Sequence, residues 1–242
     1  WDYDAQMKSA EGAAKLKKLL ALQPQIITND RLHPDFPGDT RSPEQAIPDR
    51  NTVEGQNWET CMTMNNSWGY KRFDNNWKSS EILIRNLVKI ASRGGNYLLN
   101  IGPKPDGTFP EESIQRLKDI GRWMKVNGES VYETQASPLD VMPWGECTKK
   151  EGKNSTVLYL SVFDWPADGK LIVPGLKSQV ISAKLLATGR KLQTTQKEDS
   201  LNIRLPLTAP DSIASVIRLE VKGKVERKAS SPQNKMKSGA LD

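Results

Sequence analysis

Histidine and cysteine are scarce in this chain. Of its 242 residues one is His and two are Cys, too few for a disulfide-built scaffold. His33, Cys61 and Cys147 stand too far apart for a zinc-binding spacing. One histidine also argues against Ser-His-Asp or Cys-His chemistry, unless His33 is itself the base. Long apolar runs are missing too. The longest candidate, residues 82–90, is interrupted by Arg85, Asn86 and Lys89, whereas a membrane-spanning helix needs roughly 18 apolar residues. Any chemistry is therefore expected to rest on carboxylates rather than on a metal site.

What is present suits a globular protein: 36% hydrophobic residues, 17 Gly, 15 Pro and 7 Trp. The formal charge is +6, but Lys222, Lys224, Arg227, Lys228, Lys235 and Lys237 against Glu226 and Asp242 place +4 of it after residue 221, leaving +2 for the rest. Residues 223–242 therefore read as a disordered, solvated basic tail, and no nucleic-acid partner is expected. The chain opens on Trp1-Asp2-Tyr3-Asp4, with no initiator Met and no leader pattern, as though cut from the end of a strand. The expectation is a fragment.

The patterning changes once along the chain. Ala10, Ala13, Leu16 and Leu20 repeat at helical spacing up to Pro24, and residues 25–29 read as a strand ending in Asp30-Arg31. Residues 33–57 hold six Pro and Gly residues, Pro34, Pro37, Gly38, Pro43, Pro48 and Gly55, and read as a long irregular loop of the kind that is usually functional or disordered. A strand is expected at 60–64. Ser79 or Ser80 caps a helix with Leu83, Leu87, Ile90 and Ala91 on one face, closed by Gly94-Gly95. A buried strand follows at 97–101, and then a helix with Pro110 in its first position and Gly128 beyond its end. After a boundary near 129–137, short β-type runs take over at 157–163, 170–173, 180–187, 192–195, 201–205 and 215–221, split by Asp168-Gly169, Pro174-Gly175, Gly189 and Pro206. Strand and helix alternate first, about half of what a closed eightfold barrel uses, and a sandwich follows. The expected fold class is α/β, the C-terminal half of an eightfold (β/α) barrel over residues 1–132, then an all-β sandwich over 133–222.

In such barrels functional groups gather where the strands end. Asp2, Asp30-Arg31, Glu59, Asn100 and Asp106 occupy or adjoin those places, with Trp58, Trp68, Tyr70 and Trp77 nearby to stack on sugar rings. Two carboxylates on neighbouring strand ends are what glycoside hydrolysis requires.

Three runs sharpen this reading: Trp58-Glu59-Thr60-Cys61-Met62-Thr63-Met64-Asn65-Asn66-Ser67-Trp68-Gly69-Tyr70; Gly94-Gly95-Asn96-Tyr97-Leu98-Leu99-Asn100-Ile101-Gly102-Pro103 with Asp106-Gly107 after it; and Ile26-Ile27-Thr28-Asn29-Asp30-Arg31. Together they resemble glycoside hydrolase family 29, the α-L-fucosidases, strongly over residues 1–135 and by position alone over the sandwich. The resemblance implies a retaining, exo-acting hydrolysis of α-linked L-fucose from fucosylated glycans, without cofactor. It makes Asp2, just after Trp1, the nucleophile. Glu59 is the expected general acid/base, with Trp58 supplying apolar surroundings and Glu54 and Glu44 as alternates. In a retaining enzyme the two carboxyl groups stand about 5 to 5.5 Å apart. Arg31 is expected to reach the bound sugar, and Trp68 and Trp77 to stack on it. The compartment implied is periplasmic, extracellular or lysosomal.

The family's remaining sugar-binding histidines and aromatics come from earlier strands that this chain lacks. A half-barrel exposes unpaired strand edges, so the chain alone is expected neither to fold stably nor to turn over substrate. A second reading is a non-catalytic carbohydrate-binding protein that uses Trp144 and Trp165 of the sandwich as a platform.

Overall fold

A computed structural model describes residues 8–198 and 200–227. The expected nucleophile Asp2 and residues 228–242 of the basic tail lie outside the described residues. The chain divides into two compact units between Ala136 and Ser137.

The first unit alternates helices with parallel extended segments. Helix α1 spans Ser9–Leu22 and ends before Pro24. The strand expected at 25–29 shrinks to one parallel bridge, Asn29 to Thr40. The supposed irregular loop at 33–57 contains more order than its sequence signals. Arg41 bridges Trp58 and Glu44 bridges Cys61, both parallel, so residues 41–45 run beside strand β1, Glu59–Thr63. Arg41 N–H donates to Asn57 O, Pro43 O accepts from Cys61 N–H, and Gln45 N–H donates to Cys61 O. Pro43 has no N–H to give, which removes one rung and breaks the ladder into bridges. A single turn of helix, α2 (Arg50–Val53), then leads back to β1.

Helix α3, Ser80–Ser92, begins where the Ser79 hydroxyl accepts the Ile82 N–H, and buries Leu83, Ile84, Val88, Ile90 and Ala91. Strand β2, Asn96–Asn100, pairs parallel with β1 from Glu59–Asn96 to Thr63–Asn100. Between them Gly95 lies against the Trp58 indole; a Cβ there would stand 2.3 Å from the ring. Glycine is thus required by close packing, beyond its use in the turn. Helix α4, Glu111–Asn127, has Pro110 as its N-cap, one place earlier than the sequence indicated.

The second unit is all antiparallel. Strands β3 (Gly145–Glu151), β4 (Ser155–Val162), β5 (Lys170–Pro174), β6 (Val180–Leu185), β7 (Gln193–Lys197), β8 (Ser200–Arg204) and β9 (Ser215–Lys222) form two sheets, ordered β3-β4-β9-β6 and β5-β8-β7. Alternate residues of both, among them Leu158, Leu160, Leu171, Val173, Leu201, Ile203, Ile217 and Leu219, share one buried core, as in a sandwich. Strand β3 carries no apolar alternation and is not apparent in the sequence. Residues 225–227, inside the expected tail, are held to the sandwich: Lys177 N–H donates to Glu226 O, Leu176 bridges Arg227, and Arg227 pairs with Asp140 at 2.8 Å. Val225 packs on the core, and that contact carries order past residue 223.

Candidate active site

Segments 28–30, 40–45, β1 and β2 all run in one direction. Their carboxyl ends therefore share one edge of the first unit, and their amino ends the other. That directional fact sorts the candidate residues.

At the carboxyl edge stands Arg31. Its Nη2 donates to Glu44 Oε2 at 3.3 Å, to Cys61 Sγ at 3.2 Å and to Ser42 O at 3.5 Å. The guanidinium side chain is 13% exposed and the Glu44 side chain 40%, so the arginine is fixed by packing while the carboxylate keeps an open side. Asp30 does not pair with its neighbour; its Oδ1 accepts from Ser42 N–H at 2.9 Å and from the Ser42 hydroxyl at 2.6 Å, which pins the segment carrying Glu44. Gln45 next to Glu44 sits at φ +54, a strained conformation for a non-glycine residue. Its side-chain amide donates to Thr63 Oγ1 and accepts from Thr63 N–H, at 3.0 and 3.3 Å. Those bonds hold the strained turn to the end of β1.

The edge continues through the loop after β1. Lys78 Nζ donates to Thr63 O at 2.7 Å and to Asn65 O at 3.4 Å, and burial holds its pKa below the usual lysine value. Asp74 accepts from Asn66 N–H and Ser67 Oγ, both at 3.0 Å, shaping a polar cavity of about 500 Å³ lined by Asn66, Ser67, Lys71, Phe73, Asp74, Asn75 and Asn76. Trp68 in this loop is 40% exposed. Trp77 is half-buried with the Arg116 guanidinium 5.4 Å from its ring centroid, a cation–π contact that occupies part of its surface. Asn100, the last residue of β2, has a buried Oδ1 with no hydrogen-bond partner among the described residues.

Glu59 lies elsewhere. It opens β1, opposite the first residue of β2, two residues or about 7 Å of strand before Cys61, which pairs with Glu44 and touches Arg31. Trp58 cannot enclose its carboxyl, because successive side chains on a strand point to opposite faces: the indole packs among Val53 and Ile90 with Nε1 donating to Arg93 O, and Glu59 is exposed. Glu54 follows α2, where Arg41 Nη1 donates to Thr52 O and Gln56 Oε1, at the amino edge. Geometry thus brings Arg31 together with Glu44 and leaves Glu59 and Glu54 apart. His33 closes a turn, its Nδ1 accepting from Asp35 N–H at 3.1 Å.

The sandwich tryptophans form no platform. Trp144 is buried and donates from Nε1 to Ile172 O at 2.8 Å; Trp165 packs on the core and donates to Pro206 O at 2.9 Å. Their ring surfaces serve the interior.

Residues 1–129 match the family model described as alpha-L-fucosidase. The chain is 39% identical over 158 residues to plasma alpha-L-fucosidase of Rattus norvegicus, covering 62% of this chain and 34% of that protein. It is 31% identical over 189 residues to tissue alpha-L-fucosidase of Homo sapiens, covering 74% and 38%. Among solved structures, alpha-L-fucosidase isoenzyme 1 from Paenibacillus thiaminolyticus superposes with a TM-score of 0.79 at 30% identity, covering 93% of this chain and 56% of that one. The chain spans little more than a third of the length of these curated relatives.

Proposed function

The chain belongs to the alpha-L-fucosidase family, and on that premise we propose that it forms the carboxyl-terminal portion of a retaining, exo-acting α-L-fucosidase. In this reading residues 1–132 are the second half of an eightfold barrel, 133–222 its sandwich and 223–242 a tail. Earlier strands complete the sugar pocket, and the buried unpartnered Oδ1 of Asn100 supports this, since it is an acceptor awaiting a donor. The substrate is a glycan bearing α-linked fucose. No membrane partner is invoked: among the described residues no helix is long and apolar enough to cross a bilayer. The name of the plasma relative supports placing the protein outside cells.

The observation that carries the reading is the Arg31–Glu44 pair at the carboxyl edge. Asp2 is the proposed nucleophile and Glu44, in place of Glu59, the proposed acid/base. Asp2 attacks the anomeric carbon while Glu44 gives its proton to the departing glycosidic oxygen, leaving fucose esterified to Asp2. Glu44, now a carboxylate, takes a proton from water as the water oxygen attacks the same carbon and frees both fucose and Asp2. Arg31 orients Glu44 and donates to the bound sugar; Trp68 and the open part of Trp77 stack on it. The test is hydrolysis of a chromogenic α-L-fucoside by the complete product of the gene. Turnover abolished by Asp2→Gly supports the reading, and a folded complete protein without turnover overturns it.

A further inference from the structure

The outer face of the three-stranded sheet holds a feature that the hydrolysis of fucosides does not use. In register across β5, β8 and β7 lie Lys170, Arg204 and Gln193, then Ile172, Asn202 and Thr195. These side chains, with Lys197, Arg190 and Asp168, line an open groove of about 940 Å³. Lys170 and Arg204 are directly opposite and both exposed. Like charges in that position destabilise a sheet. Among the described residues no carboxylate pairs with Lys170, Arg190, Lys197 or Arg204, and Asp168 in the groove has Oδ1 engaged by the Lys170 N–H at 3.0 Å.

We propose that this groove binds a sulfated polysaccharide chain through Lys170, Arg204, Lys197 and Arg190. Adjacent strands put Lys170 and Arg204 about 5 Å apart, and Lys197 lies about 13 Å along β7 from the position opposite Arg204. A single small anion cannot span that length. A polymer with one carboxylate in every second sugar does not supply two negative groups within one strand spacing, whereas a sulfated sugar does. Gln193, Thr195 and Asn202 add neutral donors and acceptors for ring hydroxyls. No aromatic ring lines the groove, which disfavours single-stranded nucleic acid, whose bases seek stacking platforms. The choice of a glycan rests on the reading of the protein as an enzyme of glycan turnover. The groove would hold the enzyme on charged polysaccharide while the separate carboxyl-edge site acts.

The experiment measures affinity of the complete gene product for heparin, hyaluronan and single-stranded DNA of matched length at low salt, and fucoside hydrolysis in the same preparations. Heparin is expected to bind at least tenfold more tightly than the other two. Lys170→Gln/Arg204→Gln is expected to weaken heparin binding at least tenfold, with hydrolysis and melting temperature retained. Heparin affinity unchanged in that variant overturns the proposal, as does equal affinity for hyaluronan or DNA. Loss of heparin binding on deletion of residues 228–242 alone assigns it to the tail and also overturns it. If the double variant does not fold, Lys197→Glu at the exposed end of β7 gives the same decision. Heparin binding without hydrolysis defeats the fucosidase reading and spares the groove; hydrolysis without heparin binding does the reverse.

Discussion

Glu44 Oε2 lies 3.3 Å from Arg31 Nη2, across thirteen residues of chain, because the two residues end neighbouring parallel segments. Asp30 holds Ser42, Gln45 holds Thr63, and the carboxylate between them is placed by backbone on both sides.

Glu44→Gln is expected to lower kcat on a fucoside with a poor leaving group by about 10²–10⁴-fold, the range for loss of a general acid/base. The loss should be smaller with an activated nitrophenol, which departs without protonation. Glu59→Gln should stay within a few-fold of the parent enzyme. The reverse pattern would return the role to Glu59.

Arg31→Lys is expected to reduce kcat/KM by about tenfold or more. One guanidinium nitrogen contacts Glu44, Cys61 and Ser42, and a lysine ammonium lacks the planar fork that fixes this geometry. Steady-state kinetics at several substrate concentrations measure it; parental values would show that Arg31 is only a packing residue.

Gly95→Ala is expected to cost about 1–3 kcal/mol, the usual penalty for overpacking a filled site. The added methyl meets the Trp58 ring at 2.3 Å. Combining it with Trp58→Leu should recover part of the loss, so a double-mutant cycle by chemical denaturation should be non-additive.

Asp119 ties α4 to α3: the Ser80 hydroxyl donates to its Oδ2 at 2.5 Å, Gln115 Nε2 to its Oδ1 at 2.8 Å, and Arg122 pairs with the same oxygen. The Ser80 bond foremost, with Gln115, Arg122 and Arg116, holds its carboxyl pKa below the ordinary value. A depressed folded-state pKa stabilises the protein above the unfolded value of about 4, and the contribution disappears as pH falls through the folded one. Asp119→Asn should therefore cost about 1 kcal/mol at pH 7, and the gap from the parent should close below about pH 4. A gap constant with pH in thermal melts would refute the linkage.

Helices α1, α3 and α4 and the inner strands were legible because their signals are local, whereas α2 fell inside the expected loop. Ser79 caps α3 through its own hydroxyl, Pro24 bounds α1, and residues 96–100 form a strand where an apolar run predicts one. Segment 41–45 was not legible: it holds no apolar residue and carries Pro43, and its order comes from bonds to β1. Strand β3 was hidden for a similar reason, its Lys and Glu residues reading as solvent-exposed chain until β4 pairs with it.

By itself the sequence determined helices α1, α3 and α4 and the apolar strands, the change from alternating helix and strand to strand alone, and the three motifs of a fucosidase, since periodicity, caps and motif order are written in neighbouring residues. Only the tertiary structure decided which carboxylate stands beside Arg31. Glu44, Glu54 and Glu59 are alike in composition and close in sequence. What separates them is the pairing of the parallel segments, which sets Glu44 opposite Cys61, Glu59 two residues earlier on β1, and Glu54 after α2. The cationic groove has the same origin: Lys170 and Arg204 are 34 positions apart in the chain and become neighbours only through the register of β5 and β8.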